Sequence, residues 1–499
     1  MTRVSQPLDR VEVIFDDDNL VANAGLILPA TLAGRLELES LINDTVRLTG
    51  RVGGARPGRK VLTLVHSILA GGSHIDHAEV LRAGSTAAVL GHRVMAPSTL
   101  GTFLRSFTFG HVRQLEAVNG HALGRAWTTG AGPADGSLTI DLDSTICEVA
   151  GHRKQGATFG YTKVLGYHPI LATRADTGEV IHARMRKGSA NTQRGARRFI
   201  DELIARARRS GATGEITMRM DSGFWAKTTI TTLKRLDVRF TMAIRCGFSA
   251  VAAAIDSIDE KAWIDITYPD GGEAQVAETT YTTGRHTLRL VVRRTRLTGR
   301  AQQRLWPDWR HHAFLTDLDG DVVEVDRFHR QHATIELAIR DLKEGAGLEH
   351  VPSGRFHANS AWLQCAVLAH NLTRWTAVLG EVRIDDQLVV TPQHPHPTPR
   401  PARPARQPFR PTNPAHAEPL AVGRPLRQRA QRPACHGTGH RLTRGPRTGA
   451  PPHRPRADNR AAHDRCTNAS QPGPPRPSTT RTAARRSAPN TQHQSVDRG

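Results

Sequence analysis

Three carboxylates stand where a folded chain can bring them together, and metal-assisted phosphoryl chemistry is what such a trio would serve. Asp143 closes the apolar run SLTIDLD, in which alternation puts Ile140 and Leu142 on one face and Asp141 and Asp143 on the other. Asp221 closes EITMRMD just before Ser222-Gly223, a pair that lets the chain leave a sheet. Glu336 lies in RQHATIELAIRDLKEG, where Ile335, Ile339 and Leu342 share one helical face and Glu336, Arg340 and Lys343 share another. Clustered carboxylates repel and partly protonate unless cations neutralise them. Hard oxygen donors select Mg²⁺ or Mn²⁺. Two such ions about 4 Å apart can activate an attacking oxygen and stabilise a leaving one in phosphodiester displacement. Alone, each acid reads as a turn residue or as part of a solvated salt-bridge face; the weight lies in their order along the chain. Asp141 rivals Asp143 as the first acid, and Asp143 is preferred because it ends the strand.

The elements that must position these acids form an α/β pattern. SLTIDLDST reads as a strand, and ATFGYTKVLGYHPILATRA and GEVIHARMRKGS as two more, joined at Asp176-Thr177-Gly178. NTQRGARRFIDELIARARRSG is an amphipathic helix closed by Gly211. EITMRMDSGF (strand), WAKTTITTLKRL (helix) and VRFTMAIRC (strand) follow. The order β-β-β-α-β-α-β predicts a mixed sheet, a hairpin followed by crossover helices. Strand-like AWIDITYP, AQVAETTYTT, HTLRLVVRRTRL and HHAFLTDL form a β-rich insertion over about 247–325, and RQHATIELAIRDLKEG and NSAWLQCAVLAHNLTRWTAVLG are helical. Residues 1–130 are mostly helical, from LPATLAGRLELESLINDTV, KVLTLVHSILAGG and APSTLGTFLRSFTFGHVRQLEAV, with Arg105 and Arg113 exposed for phosphate. For that region, plain packing beside the main domain and DNA-end binding weigh evenly.

Composition bounds the rest. The formal charge is +22 over 499 residues, yet residues 392–499 hold 20 Arg, no Lys and four acids, so +16 of it lies there. That stretch also holds 21 of the 30 Pro and few large apolar residues, which predicts disorder for 391–499. Cys147, Cys246, Cys365, Cys435 and Cys466 include no CxxC pair, which argues against a zinc ribbon or redox motif. The start MTRVSQPLDRVEVIFDDDNL lacks a signal-peptide pattern, and no run suits a membrane span, so a cytoplasmic, nucleoid-associated protein is expected. His74, Asp76 and His77 read as a loop or helix cap, Tyr167 and His168 as a turn before Pro169, and Trp225 as core packing.

Four segments carry a family resemblance: LTIDLDSTICEVAGHRKQGATFGYTKVLGYHPILATRADTGEVIHARMRKGSANT, EITMRMDSGF, RQHATIELAIRDLKEG and NSAWLQCAVLAHNLTRW. Together they resemble the DDE transposases of bacterial insertion sequences, transposase DDE domain group 1, over most of residues 60–390. The combination of D-S-T, R-x-D-S-G-F and E-x6-K is its specific part. The resemblance implies an RNase H-like catalytic domain over 131–390 with Asp143, Asp221 and Glu336 as catalytic triad and ligands of two Mg²⁺ or Mn²⁺ ions. It implies metal-dependent cleavage and transfer of DNA strands at insertion-sequence ends, with double-stranded DNA (terminal inverted repeats and target) as partner and a homodimer on that DNA. Lys343 matches a lysine that contacts DNA phosphate, with Arg340 and Arg330 beside it as further DNA-binding residues. The Tyr and Arg of the family's Y-R-E-K signature fall on His329 and His332, and a neutral imidazole does not replace an Arg fork; Arg330 stands one residue away to compensate. Two other readings are an RNase H-fold nuclease without strand transfer and a catalytically impaired DNA-binding remnant. Since the family continues with helical, apolar sequence where this chain turns Pro/Arg-rich, a frameshift near 391 is expected, against a genuine basic arm that adds DNA affinity.

Overall fold

Apolar alternation and glycine-bounded amphipathic runs become the strands and helices that carry the acids. The computed structural model describes residues 21, 23–151, 153–268, 272–296 and 309–381. All belong to one of two compact units, Met1–Asn413. The expected disordered or frameshifted tail, 391–499, lies outside the described residues.

Six helices come first: α1 (Ile27–Arg35), α2 (Leu38–Thr45), α3 (Pro57–Leu69), α4 (Thr86–Leu90), α5 (Pro97–Arg105) and α6 (Phe109–Ala126). The run read as one helix over LPATLAGRLELESLINDTV breaks between α1 and α2, where Glu37 takes a left-handed φ of 49°. Next come strands β1 (Leu138–Ser144), β2 (Cys147–Glu148), β3 (Thr158–Phe159), β4 (Leu165–Tyr167), β5 (Ile170–Arg174) and β6 (Val180–Arg184). Helix α7 (Ala196–Ser210), strand β7 (Ile216–Met220), helix α8 (Lys227–Arg235) and strand β8 (Arg239–Ile244) complete the core. The insertion holds α9 (Ser249–Asp256), β9 (Ile264–Asp265), β10 (Glu273–Thr283), β11 (His286–Arg296) and β12 (Arg310–Thr316). Helices α10 (Val322–Arg330), α11 (Thr334–Arg340) and α12 (Phe356–Leu379) close the described chain.

Among the described residues, the main sheet has nine strands in the order β6-β5-β1-β7-β8-β12-β11-β10-β9. Strand β5 runs antiparallel to β1, while β7 pairs parallel with both β1 and β8. Numbered by appearance in this sheet, its first five strands run 3-2-1-4-5, the RNase H-like arrangement. The insertion does not stand apart: β12 pairs antiparallel with β8 and carries β11, β10 and β9 outward. Without β12, strand β8 would present a row of unpaired backbone groups, and the insertion covers that edge.

The stretch ATFGYTKVLGYHPILATRA is not one strand. It splits into β3, β4 and β5, and β4 sits between β2 and β3 in a separate three-stranded sheet. Glycine at 166 permits the close approach of β4 to β2, because a Cβ there would collide with the Cys147 carbonyl oxygen. At the far side, the buried helix α12 packs on α3, α5, α6 and β6. Asn371 accepts the Val180 N–H (2.7 Å) and donates to the Val180 carbonyl (2.8 Å), so a side chain completes the edge of β6.

Candidate active site at the carboxylate edge of the sheet

Strand register brings two of the three acids together. Leu142 of β1 pairs with Met220 of β7 in parallel, so Asp143 and Asp221 stand one step beyond, on strands about 5 Å apart. Asp143 Oδ1 accepts the Ser144 N–H at 2.6 Å, and Asp221 Oδ1 accepts the Gly223 N–H at 3.1 Å. Gly223 fits closely here: a Cβ would lie about 3.0 Å from the Thr192 side chain, which would have to shift by a few tenths of an ångström. Glu336 projects from the first turn of α11, exposed, while Ile335, Ala338 and Ile339 of that helix are buried and the helix packs against β1.

The electrostatics tie the three together. Burial pushes the Asp143 carboxyl up to about 6; the Ser144 N–H and His332 oppose the rise, while the like charges of Asp221 and Glu336 add to it. Asp221 is raised too, first by burial, and held back by His332, the N–H groups of Gly223 and Phe224, and Arg245. Asp143 and Asp221 are thus neighbouring carboxylates whose like charges oppose one another, and the exposed Glu336 adds its charge to Asp143.

Beneath the acids lies a buried support. Asp141, with no exposed surface, forms a two-pronged ion pair with Arg219: Nε to Oδ1 and Nη2 to Oδ2, both 2.7 Å. Arg219 also donates to the Phe328 carbonyl at 2.9 Å, and His332 Nδ1 lies 2.9 Å from Asp141 Oδ1. The rival acid is thus held by Arg219 and His332, and it fastens the segment carrying Glu336 onto β1 and β7. His332 and Glu336 are four residues apart, one helical turn. Arg219 stood in the R-x-D-S-G-F match without a role of its own; the signal for one was an arginine inside a buried strand, two residues before Asp221 on the same face.

The remaining candidates fall in several places. His329 stacks on Phe314 (centroids 4.1 Å apart) and contacts Thr241 Oγ1 at 2.7 Å; burial, with His332, Arg293 and Arg219 nearby, pushes it down to about 3, so it is a neutral packing group. Arg330 is engaged by buried Asp326 (2.9 Å), which also pairs with Arg293 (2.8 Å). Arg340 is exposed, and Lys343 is half-buried in the π-helical turn Asp341–Gly345. Lys343 acts on Cys147, whose thiol burial pushes up to about 12. Arg113, expected to be free for phosphate, is bound instead to Glu116 and Glu202, whereas Arg105 is exposed. His74 begins a 3-10 helix, Ile75–Arg82, and Tyr167 and His168 are buried. Trp225 is half-buried and packs on Phe248 (5.3 Å).

Among the described residues, Asp143, Asp221 and Glu336 do not bring their ligand atoms within 4.8 Å of one another; the group that gathers that closely, near enough to hold a metal, is Glu116, His182 and Glu202. Arg113, Arg184 and Arg198 already pair with its glutamates, so it is a self-neutralised ion-pair network joining α6, β6 and α7. A further cation would meet repulsion there.

Residues 5–382 match the family described as transposase DDE domain group 1. Among solved structures, the chain is similar to a cryo-EM structure of a piggyBac transposase synaptic complex with hairpin DNA. That likeness has 10% sequence identity and a TM-score of 0.36, and covers 72% of this chain and 79% of the other. No curated protein matches the chain.

Proposed function

The chain belongs to the transposase DDE domain group 1 family, and on that premise we propose that it cleaves and rejoins DNA strands at the ends of an insertion sequence, with Asp143, Asp221 and Glu336 as its catalytic carboxylates. The observation that carries this reading is the meeting of Asp143 and Asp221 at adjacent parallel strand ends, with the Glu336 charge acting on Asp143. Two Mg²⁺ or Mn²⁺ ions held by these three residues would supply Lewis acidity to the attacking and leaving oxygens. The protein's own part is positional. Asp143 and Asp221 are fixed by the sheet and by their local N–H bonds. Glu336 is delivered by a helix pinned through His332 and Arg219 to Asp141. Here His332 acts on Asp141, and the charge lost where the family has Arg is offset by Arg219 on the same carboxylate.

Lys343 and Arg340, on the helix that bears Glu336, are the side chains assigned to DNA phosphate, and Arg330 serves by holding Asp326. The DNA partners are the terminal inverted repeats and the target, and two ends handled together require a homodimer on DNA. No helix among the described residues is long and apolar enough to cross a membrane.

The test is an assay with purified chain, Mg²⁺ and duplexes ending in the element's inverted repeats. The reading expects nicking at the ends, joining of pre-cleaved ends into a second duplex, and loss of both in Asp221→Ala. Cleavage without joining would support a nuclease on the same fold. Cleavage that survives Asp221→Ala would overturn the assignment.

A further inference from the structure

Beside the acids stands a small basic flap with two exposed aromatic rings. The chain leaves the main sheet just after Asp143, forms the sheet β2-β4-β3, and re-enters at Ile170, which pairs with Ser144. The Thr145 N–H donates to the Pro169 carbonyl (3.1 Å), which closes the two ends of the excursion at the carboxylate edge. The base of the flap is firmly built. Gly188 lies so close to the carbonyls of Gly166 and Thr158 that a Cβ would collide with both, and Gly160 lies likewise against the Gly188 carbonyl. Tyr167 Oη donates to the Gln155 carbonyl at 2.8 Å and accepts from Asn359 of α12 at 3.1 Å.

The tip is the opposite. A turn from Gly160 to Lys163, closed by the Lys163 N–H on the Gly160 carbonyl (3.1 Å), carries Tyr161 outward at 75% exposure. Phe159, immediately before it, is 58% exposed. Lys163 holds a left-handed φ of 58°, a conformation that costs a non-glycine residue about 1 kcal/mol or more. Arg153 and Lys163 on the flap are exposed, as is Lys187, whose backbone bridges to Tyr167, and Glu148 is the one acid among the described residues 148–168. The exposed Tyr161 ring on a fixed base, in a segment with more cations than acids, suits a ligand with flat faces and negative charge. Nucleic-acid bases stack on aromatic rings whatever their sequence, and the flanking phosphates meet lysine and arginine.

We propose that Tyr161 is a stacking platform for an unpaired base of the DNA strand lying next to the carboxylates, with Lys163 and Lys187 on the adjoining phosphates. This rests on the reading of the chain as a transposase and adds a positioning residue to it. An unpaired base held there would keep the strand from re-pairing and fix its backbone relative to Asp143.

Fluorescence anisotropy would compare two inverted-repeat duplexes, one fully paired and one with a short unpaired stretch at the junction of element and flank. Tyr161→Ala should lower affinity for the unpaired substrate about tenfold and change the paired one by less than about twofold. Tyr161→Phe, which keeps the ring, should behave as the unsubstituted chain, and circular dichroism should show all three equally folded. An equal loss on both duplexes, or no loss on either, would overturn the platform. Should the unsubstituted chain fail to cleave DNA with Mg²⁺ while keeping the Tyr161-dependent preference, the transposase mechanism would fall and the platform would stand.

Discussion

Asp143 is a carboxyl whose surroundings work against its own charge. Its folded pKa, about 6, lies above the ordinary value of 3.8, so between those values the folded state binds more protons than the unfolded one. Without metal, its contribution to stability therefore declines as pH rises from 3.8 through about 6. Asp143→Asn should raise the melting temperature of the metal-free protein at pH 7.5 by on the order of a few degrees, with the gain vanishing near pH 4, as calorimetry at the two pH values would read. The same carboxyl must lose its proton to hold a cation, so metal affinity should weaken as pH falls below about 6. Arg219 carries the opposite prediction: replacing it with Met strands the buried Asp141 and should cost about 3–5 kcal/mol in urea unfolding. His332→Ala leaves Arg219 in place and should retain the fold while lowering cleavage by about tenfold. Strand alternation and chain order made the three acids candidates in the sequence; the register sets Asp143 and Asp221 side by side, and Glu336 is exposed on α11. Arg219 was not, because a buried arginine makes sense only once Asp141 is known to lie opposite it in the parallel register.

At the scale of elements, the core followed from apolar periodicity, and the departures have local causes. One expected strand became β3, β4 and β5, with β4 paired to β2 through a close approach that Gly166 permits, and a pairing between residues more than sixty positions apart, β8 with β12, merged the insertion with the core sheet. Neither leaves a mark in hydrophobic pattern, since both depend on which backbones meet. Gly166→Ala should therefore unseat β2 from β4 and speed amide exchange across Cys147–Tyr167 before it affects α7 or β7. The edge of β6 offers a second test. Asn371→Leu removes both side-chain bonds to Val180 and should cost about 2–4 kcal/mol, two buried backbone groups at roughly 1–2 each.

At the scale of the whole chain, charge is divided unevenly: residues 392–499 carry +16 of the +22. If that stretch serves as a basic arm, ending the chain at 391 should weaken non-specific DNA binding and flatten its dependence on salt, while Mg²⁺-dependent cleavage persists. Unchanged salt dependence would mean that the arginines contribute nothing to DNA affinity. The account depends most on three carboxylates, from β1, the end of β7 and α11, acting as one cation site. Its most direct test is Mn²⁺ binding followed by electron paramagnetic resonance, with the protein on inverted-repeat DNA. Two ions per chain are predicted for the unsubstituted protein, and Glu336→Gln should weaken binding by about tenfold or more while leaving the fold intact. Equal stoichiometry and affinity in Glu336→Gln would contradict the account, because the helix that delivers Glu336 would then have no part in holding the metal.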